Sequence, residues 1–188
     1  MKKVKSTILM MTVLATAFTF SSCSEQKKEA KQEEVKTEEK NEPAKSEMPE
    51  MNSSELSFKS ESLKEAFQHY IHVRTALTNT DAEEAKKGGQ MLLKTLESVE
   101  GSDRALIATV IIANTTDIEV QRVGFSDLSE AMIILTKGNI ASGSLYLAHC
   151  PMAKENMGAN WISSTDEIMN PYFGDKMMKC GSITETLN

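Results

Sequence analysis

Sulfur and imidazole side chains cluster in the last 40 residues of the chain. His149, Cys150 and Met152 fall within four consecutive positions, and Met177 and Cys180 follow three positions apart. That second spacing places Met177 and Cys180 on one face of a helical turn. Thiolates and thioethers favour Cu(I) and the chemically similar Ag(I), whereas Zn²⁺ takes cysteine and histidine without methionine. The pattern predicts a soft-metal site with Cys150, Met152 and Cys180 as leading ligands and Met177 and His149 next.

A disulfide between Cys150 and Cys180 is the alternative reading of the same residues. The two cysteines are 30 positions apart, and closing such a loop stabilises a fold by about 3–4 kcal/mol in the chain-entropy model. The methionines would then fill gaps in a small core. Spacing alone leaves both alternatives open, and the two states could also alternate.

The composition of the chain favours a globular protein and argues against a nucleic-acid binder. The 188 residues are 40% hydrophobic and 26% charged, with a net charge of -6, which suits an ordinary globular protein. The acidic balance argues against a nucleic-acid binder, which would need a basic face. No phosphate loop, dinucleotide fingerprint or serine triad is recognisable. We therefore expect no enzymatic activity.

The N-terminal region has the features of a targeting signal. Three lysines precede an apolar run over residues 8–20, and Cys23 follows two serines. The run is too short to span a bilayer as a settled helix. We interpret residues 1–22 as a signal peptide of the lipoprotein type and Cys23 as the lipidated first mature residue, although the usual leucine three residues earlier is replaced by Phe20.

The next segment is predicted to be a disordered tether, residues 23–54. After Cys23 it carries six lysines, nine glutamates and no aromatic residue, so it cannot bury enough apolar surface to offset its ordering entropy. A flexible coil of this length spans roughly 30 Å. It would hold the remaining residues, 55–188, off a membrane as a single folded domain.

Residues 55–138 read as an antiparallel bundle of about four helices. Apolar residues recur at helical spacing. Asp81 and either Thr116 or Asp117 mark helix starts, with Glu84 as the capping-box partner of Asp81, and the Lys137–Gly138 pair marks a helix end. The third helix is expected to bury Leu106, Ile107, Val110, Ile111 and Ile112. Residues 139–188 read as a small irregular α/β half. It contains short strands over residues 144–150, 161–162 and 183–187 and one or two helical turns over residues 175–180. The fold class is therefore mainly α.

Two weaker polar groups accompany these helices. His69 and His72 are three positions apart on the first helix, and we interpret them as surface or boundary histidines. Gln121 and Arg122 begin the last helix. Either they contact the C-terminal half as a buried pair or they are solvated, and the sequence leaves this open.

Several blocks together resemble a bacterial family of uncharacterised extracytoplasmic domains. The resemblance covers most of residues 60–188, and the blocks are Gln121–Phe125, Leu128–Ser129, Cys150–Ala153, Trp161–Ser163, Glu167–Asp175, Met177 and Cys180–Gly181. That family occurs as stand-alone lipoproteins and as an appendage on periplasmic adaptor subunits of copper and silver efflux pumps.

The resemblance implies a helical domain associated with heavy-metal handling. It favours a lipid-anchored copper chaperone or buffer in the bacterial cell envelope, facing the periplasm or the cell exterior, with metal-efflux components as partners. The Cys-Pro-Met core also resembles that of small heavy-metal-binding domains, where a histidine follows; Ala153 stands in its place here. The rival reading is a disulfide-stabilised protein-interaction module without metal. The sequence fixes neither the metal, nor the protein partner, nor the oligomeric state.

Overall fold

The computed structural model describes residues 56–188, all within one compact unit of the chain. The predicted signal peptide, the lipidated Cys23 and the tether lie outside these residues. The elements are β1 (Ser57–Phe58), α1 (Glu61–Thr78), α2 (Ala82–Leu96), α3 (Asp103–Ala113), α4 (Ile118–Thr136), β2 (Ile140–Ser142), β3 (Leu145–Cys150), α5 (Ala153–Asn156), β4 (Ala159–Ser163) and β5 (Ser182–Leu187). The mainly helical fold class with a small C-terminal α/β part is confirmed in outline.

Helices α2 and α4 begin at positions that the sequence predicts. The Asp81 side chain accepts a hydrogen bond from the backbone N–H of Glu84 at 2.9 Å, and Asp117 caps α4 in the same way. The reciprocal half of the capping box is wrong, because the Glu84 carboxylate instead binds His72 and Lys87. The Asp81 N–H donates to the Ala76 carbonyl, so it leaves the Glu84 side chain free for those partners.

Glycines allow the helices to approach closely. A Cβ atom on Gly89 would lie 3.2 Å from the backbone nitrogen of Ala113, and one on Gly124 would lie 3.1 Å from Ile111. The first contact joins α2 to α3 and the second joins α3 to α4. The absence of a side chain at Gly89 and Gly124 therefore lets α3 lie close to both α2 and α4.

The orientation of α3 differs from the expectation. Ile112 is buried, but Ile107, Val110 and Ile111 are exposed, and Leu106 is half-buried. The helix turns mainly small residues inward, namely Ala105, Ala108, Thr109 and Ala113. Small residues face the core because the close approach of Gly89 and Gly124 leaves little room between helices. A helix that is apolar on most sides must leave some apolar residues outside.

The C-terminal half is built on a three-stranded antiparallel sheet in the order β4-β3-β5. Its strands confirm those predicted around residues 144–150, 161–162 and 183–187. A second, two-stranded sheet pairs β1 with β2, which the sequence did not reveal because each strand has only two or three residues. The helical turns expected over residues 175–180 are wrong: a single 3₁₀ turn occupies Gly174–Lys176 instead.

Aromatic side chains join the sheet to the bundle. Tyr70 of α1 stacks on Phe125 of α4 at 5.2 Å, Phe125 contacts Tyr172, and Tyr172 meets Trp161 of β4 edge-on at 6.1 Å. The Tyr70 hydroxyl accepts a hydrogen bond from the Ile162 backbone N–H at 3.0 Å and lies 2.9 Å from the Ser129 hydroxyl. The sheet thus rests on α1 and α4.

Alkaline pH should weaken this junction. Burial raises the pKa of Tyr70 from 10.0 to about 12. Its contribution to stability is therefore complete below pH 10 and is lost as pH rises through about 12, a change of roughly 3 kcal/mol. Urea unfolding between pH 9 and 12 should show the free energy of unfolding falling more steeply in the wild type than in Tyr70→Phe. Parallel pH profiles would contradict this assignment.

Gln121 and Arg122 are both buried, so the solvated reading of this pair is wrong. Gln121 bonds within the helical half, to the carbonyls of Ala82 and Thr115. Arg122 makes the contact with the C-terminal half: its Nε donates to the Pro171 carbonyl at 3.1 Å. Its Nη1 pairs with Glu119 at 2.8 Å.

Candidate functional site

Strand pairing places Cys150 at the end of the central strand. Cys150 pairs with Ala159 of β4, and Ala148 pairs with Trp161. Paired residues of antiparallel strands share a sheet face, and so do residues two apart on one strand. Cys150 and Trp161 are therefore diagonal neighbours on the same face. The Cys150 side chain is fully buried there.

Cys180 is positioned by the turn that precedes β5. The side-chain Nδ2 of Asn170 donates to the Cys180 carbonyl at 2.7 Å, and the Asn170 backbone N–H donates to the Met178 carbonyl at 2.9 Å. Asn170 itself is fully buried, and its Oδ1 accepts from the Tyr172 N–H. Asn170 is therefore a positioning residue for Cys180. In the sequence, Asn170 belongs to the Glu167–Asp175 block of the resemblance, and no local pattern indicates its positioning role.

The two cysteine thiols are in direct contact. Their Sγ atoms lie 3.1 Å apart, and both cysteines are free. The hydrogen bond with Cys150, together with burial, raises the pKa of the Cys180 thiol. Both the metal-binding and the disulfide chemistry of cysteine begin with thiolate. The thiols must therefore release protons to solvent when they bind a metal ion or react with an oxidant.

Gly181 and Trp161 form a wall beside Cys180. Gly181 has a φ of +137°, and a Cβ atom there would lie 2.8 Å from Trp161 Cη2 and 2.9 Å from the His149 carbonyl oxygen. A side chain at this position would collide with both the indole ring and the neighbouring strand. Glycine is therefore required for the Cys180 turn to join β5 beside the ring.

His149 lies on the other side of the sheet from Cys150. Consecutive residues of a strand point to opposite faces, and the His149 Nδ1 is 2.8 Å from Asn160 Oδ1. Asn160 Nδ2 donates to Glu130, so its Oδ1 is the acceptor and His149 Nδ1 carries the proton. In this conformation His149 is not placed to share an ion with the Cys150 sulfur.

The methionines of the expected site remain next to the cysteines in the chain. Met152 begins the short turn of α5 and is 45% exposed, and Met177 is half-buried at the end of the 3₁₀ turn. The Met177 carbonyl accepts the backbone N–H of Cys180 at 3.0 Å. Of the five expected ligands, the structure brings the two thiols into contact and holds Met177 in the same turn as one of them.

The donor set in this region suits a soft ion better than a hard one. Within residues 56–188, no group of three or more His, Cys, Asp and Glu side chains is arranged to hold a metal ion. If both thiolates bound one metal ion at about 2.3 Å with a tetrahedral S–metal–S angle, the two sulfurs would lie about 3.8 Å apart. The thiols would need to move apart by less than about 1 Å, and Cys180 lies in a turn at the protein surface.

The remaining histidine pair forms no comparable site. His72 is buried and lies 2.8 Å from Glu84, and His69 is half-buried. Burial lowers the pKa of His69, and the neighbouring His72 adds to this effect. The interpretation of both as boundary residues is consistent with these positions, with Glu84 as a partner that sequence spacing did not reveal.

Comparison with known families finds a likeness for the helical half. Residues 66–143 match the family model "Protein of unknown function (DUF3347)". The match runs from within α1 through β2 and ends before β3, so Cys150 and Cys180 lie outside it. No curated protein and no solved structure matches the chain. The expected likeness to a family of unknown function is thus confirmed for this stretch.

None of the helices within residues 56–188 has the length and apolar character needed to cross a bilayer. The lipid anchor predicted at Cys23 lies outside these residues and stays a prediction.

Proposed function

We propose that the protein binds Cu(I) or Ag(I) through the thiolates of Cys150 and Cys180. The observation that carries the proposal is the 3.1 Å contact between their sulfurs. Cysteine thiolates are preferred ligands of soft ions, and Met177 and Met152 can add a thioether from the adjoining turns. The buried Cys150 and the indole of Trp161 would limit the access of water to a bound ion.

The wider biological role is part of the same proposal. A lipid on Cys23 and a flexible tether would hold the site near a membrane of the bacterial cell envelope, as a chaperone or buffer that delivers the ion to metal-efflux components. The partly exposed Cys180 turn supports exchange with a partner, because an incoming ligand can reach that sulfur from solution. The proposal includes no catalytic step.

Competition for Cu(I) tests the site. The purified protein, reduced and kept free of oxygen, should remove one Cu(I) equivalent from a strong chromogenic chelator, and binding should protect both thiols from alkylation. Cys150→Ser and Cys180→Ser should each weaken binding by more than the roughly 10- to 100-fold that loss of an outer partner of a metal ligand costs. Affinity should fall as pH drops, because the thiols must be deprotonated.

Two variants serve as matched controls. Cys23→Ser replaces the third cysteine of the chain without changing the described residues, and it should leave the Cu(I) affinity unchanged. His149→Gln should also have little effect, because His149 faces away from Cys150. Equal competition by the wild type and both cysteine variants would overturn the assignment.

The same contact also favours the second candidate, a disulfide-stabilised interaction module. In that case the purified protein would show no free thiols at Cys150 and Cys180 until a reductant is added, and the reduced form would not compete for Cu(I). The thiol count and the competition assay therefore separate the two functions on one sample.

A further inference from the structure

An apolar face lies on the outer side of α3 and α4. Ile107 is 71% exposed, and Ile134 and Val123 are more than half exposed. Val110, Ile111 and Val120 are also exposed on these two helices. The exposed fractions of these six side chains add up to about three fully exposed aliphatic side chains. Such a concentration of exposed apolar surface is typical of interaction sites.

Charged residues of both signs border a groove in this face. The groove has a volume of about 400 Å³ and is lined by Arg104, Ile107, Ala108 and Ile111 of α3 and by Asp127 and Glu130 of α4. Arg104 has no ion pair within the described part of the chain, and the nearest cation to Asp127 is Lys154 at 3.9 Å. A cation therefore stands on one wall and two carboxylates on the other.

This charge pattern selects among possible occupants. An anionic membrane surface would require a basic border, and a purely cationic partner would be repelled by Arg104. A face that carries a cation on one wall and carboxylates on the other is complementary in charge to a second copy of the same face. A two-fold interface repeats each contact, so that residue i meets residue j and j meets i.

We propose that this face is the interface of a homodimer. A two-fold axis along the groove places α3 of each copy over α4 of the other. Arg104 of one copy then faces Asp127 and Glu130 of the second copy, and the protruding Ile107 is covered. A stable interface buries about 800 Å² on each partner with an apolar centre and a polar rim. The six aliphatic residues supply apolar area on both sides of the groove, and the three charges pair across it.

Charge reversal tests the interface with a built-in rescue. Sedimentation velocity of the purified protein should show a dimer. Arg104→Glu should raise the dissociation constant at least about 10-fold, because it replaces attraction by repulsion at both symmetry-related copies of the contact, and a 10-fold change corresponds to 1.4 kcal/mol. Asp127→Lys combined with Glu130→Lys should do the same. The triple variant with all three changes should dimerise again.

Lys94→Glu is the matched control, because it makes the same charge change on the exposed surface of α2, outside the groove lining. It should leave the dissociation constant unchanged. Ile107→Gln should also produce monomer, with an unchanged circular dichroism spectrum. A monomeric wild type would overturn the proposal and leave the face to a different protein. A dimer that is insensitive to Arg104→Glu and Ile107→Gln would overturn it as well.

Discussion

Mild oxidation of the purified protein is expected to join Cys150 to Cys180 and to raise the free energy of unfolding by about 3–4 kcal/mol. The two sulfurs are already in contact at 3.1 Å, so the bond can form without a large movement of the backbone. Two thiols release two protons and pass two electrons to an added oxidant such as diamide. The gain arises because the bond closes a loop of about 30 residues in the unfolded chain.

Urea unfolding of the oxidised and reduced forms measures this gain. Cys150→Ser should show the same stability under both conditions, because it cannot form the bond. Cys23→Ser should behave like the wild type. Equal stability of the two wild-type forms, with thiol titration showing that the bond had formed, would mean that the disulfide strains the native fold as much as it restricts the unfolded chain.

Replacement of Trp161 by alanine should destabilise the protein by about 3–5 kcal/mol. The indole is fully buried, meets Tyr172 edge-on and supports the turn at Gly181. Its removal would leave a cavity between the sheet and the bundle, which could collapse only partly. Chemical unfolding of the purified, reduced variant measures the cost.

Trp161→Phe is the matched control for that substitution. It keeps an aromatic ring and removes the Nε1–H, which is buried without a hydrogen-bond partner among the described residues. An unpaired buried N–H costs about 1–3 kcal/mol, so its removal offsets part of the lost volume. The phenylalanine variant should therefore lose much less stability than the alanine variant. Equal losses would show that ring size, and not burial of the ring as such, dominates at this position.

Local signals in the sequence predicted the helical elements well. Asp81 and Asp117 cap helices because their carboxylates bond to amides two or three residues away, which depends on no distant contact. The facing of α3 could not be predicted in this way. Which side of an apolar helix is buried depends on its neighbours, and here the close approach of Gly89 and Gly124 selects the side with small residues.

The site was predictable in its residue types but not in its geometry. The sulfur cluster pointed to Cys150 and Cys180, yet their contact depends on the pairing of β3 with β5 and on the hydrogen bonds of Asn170, which lie far apart in sequence. The sequence alone was sufficient to predict that His149 and Cys150 lie on opposite faces of the sheet. Residues 144–150 were expected to form a strand, and alternation along a strand already separates two consecutive side chains.

The family match covers most of the helical half of the protein but not the C-terminal half. The matched residues, 66–143, contain most of the helical bundle, and the thiol pair follows in the next strand. A function carried by the cysteines is therefore not implied by that likeness. A function carried by the α3–α4 face would lie within it.

Trp161 is the single tryptophan of the chain, and its ring touches the turn that carries Cys180. The intrinsic tryptophan fluorescence of this protein therefore comes from one indole ring, placed beside the thiol pair. Its emission wavelength and quenching can report a change at the thiols in real time, without an added dye and against no background from other indoles. The indole ring that packs the core therefore also provides a fluorescence signal from the site.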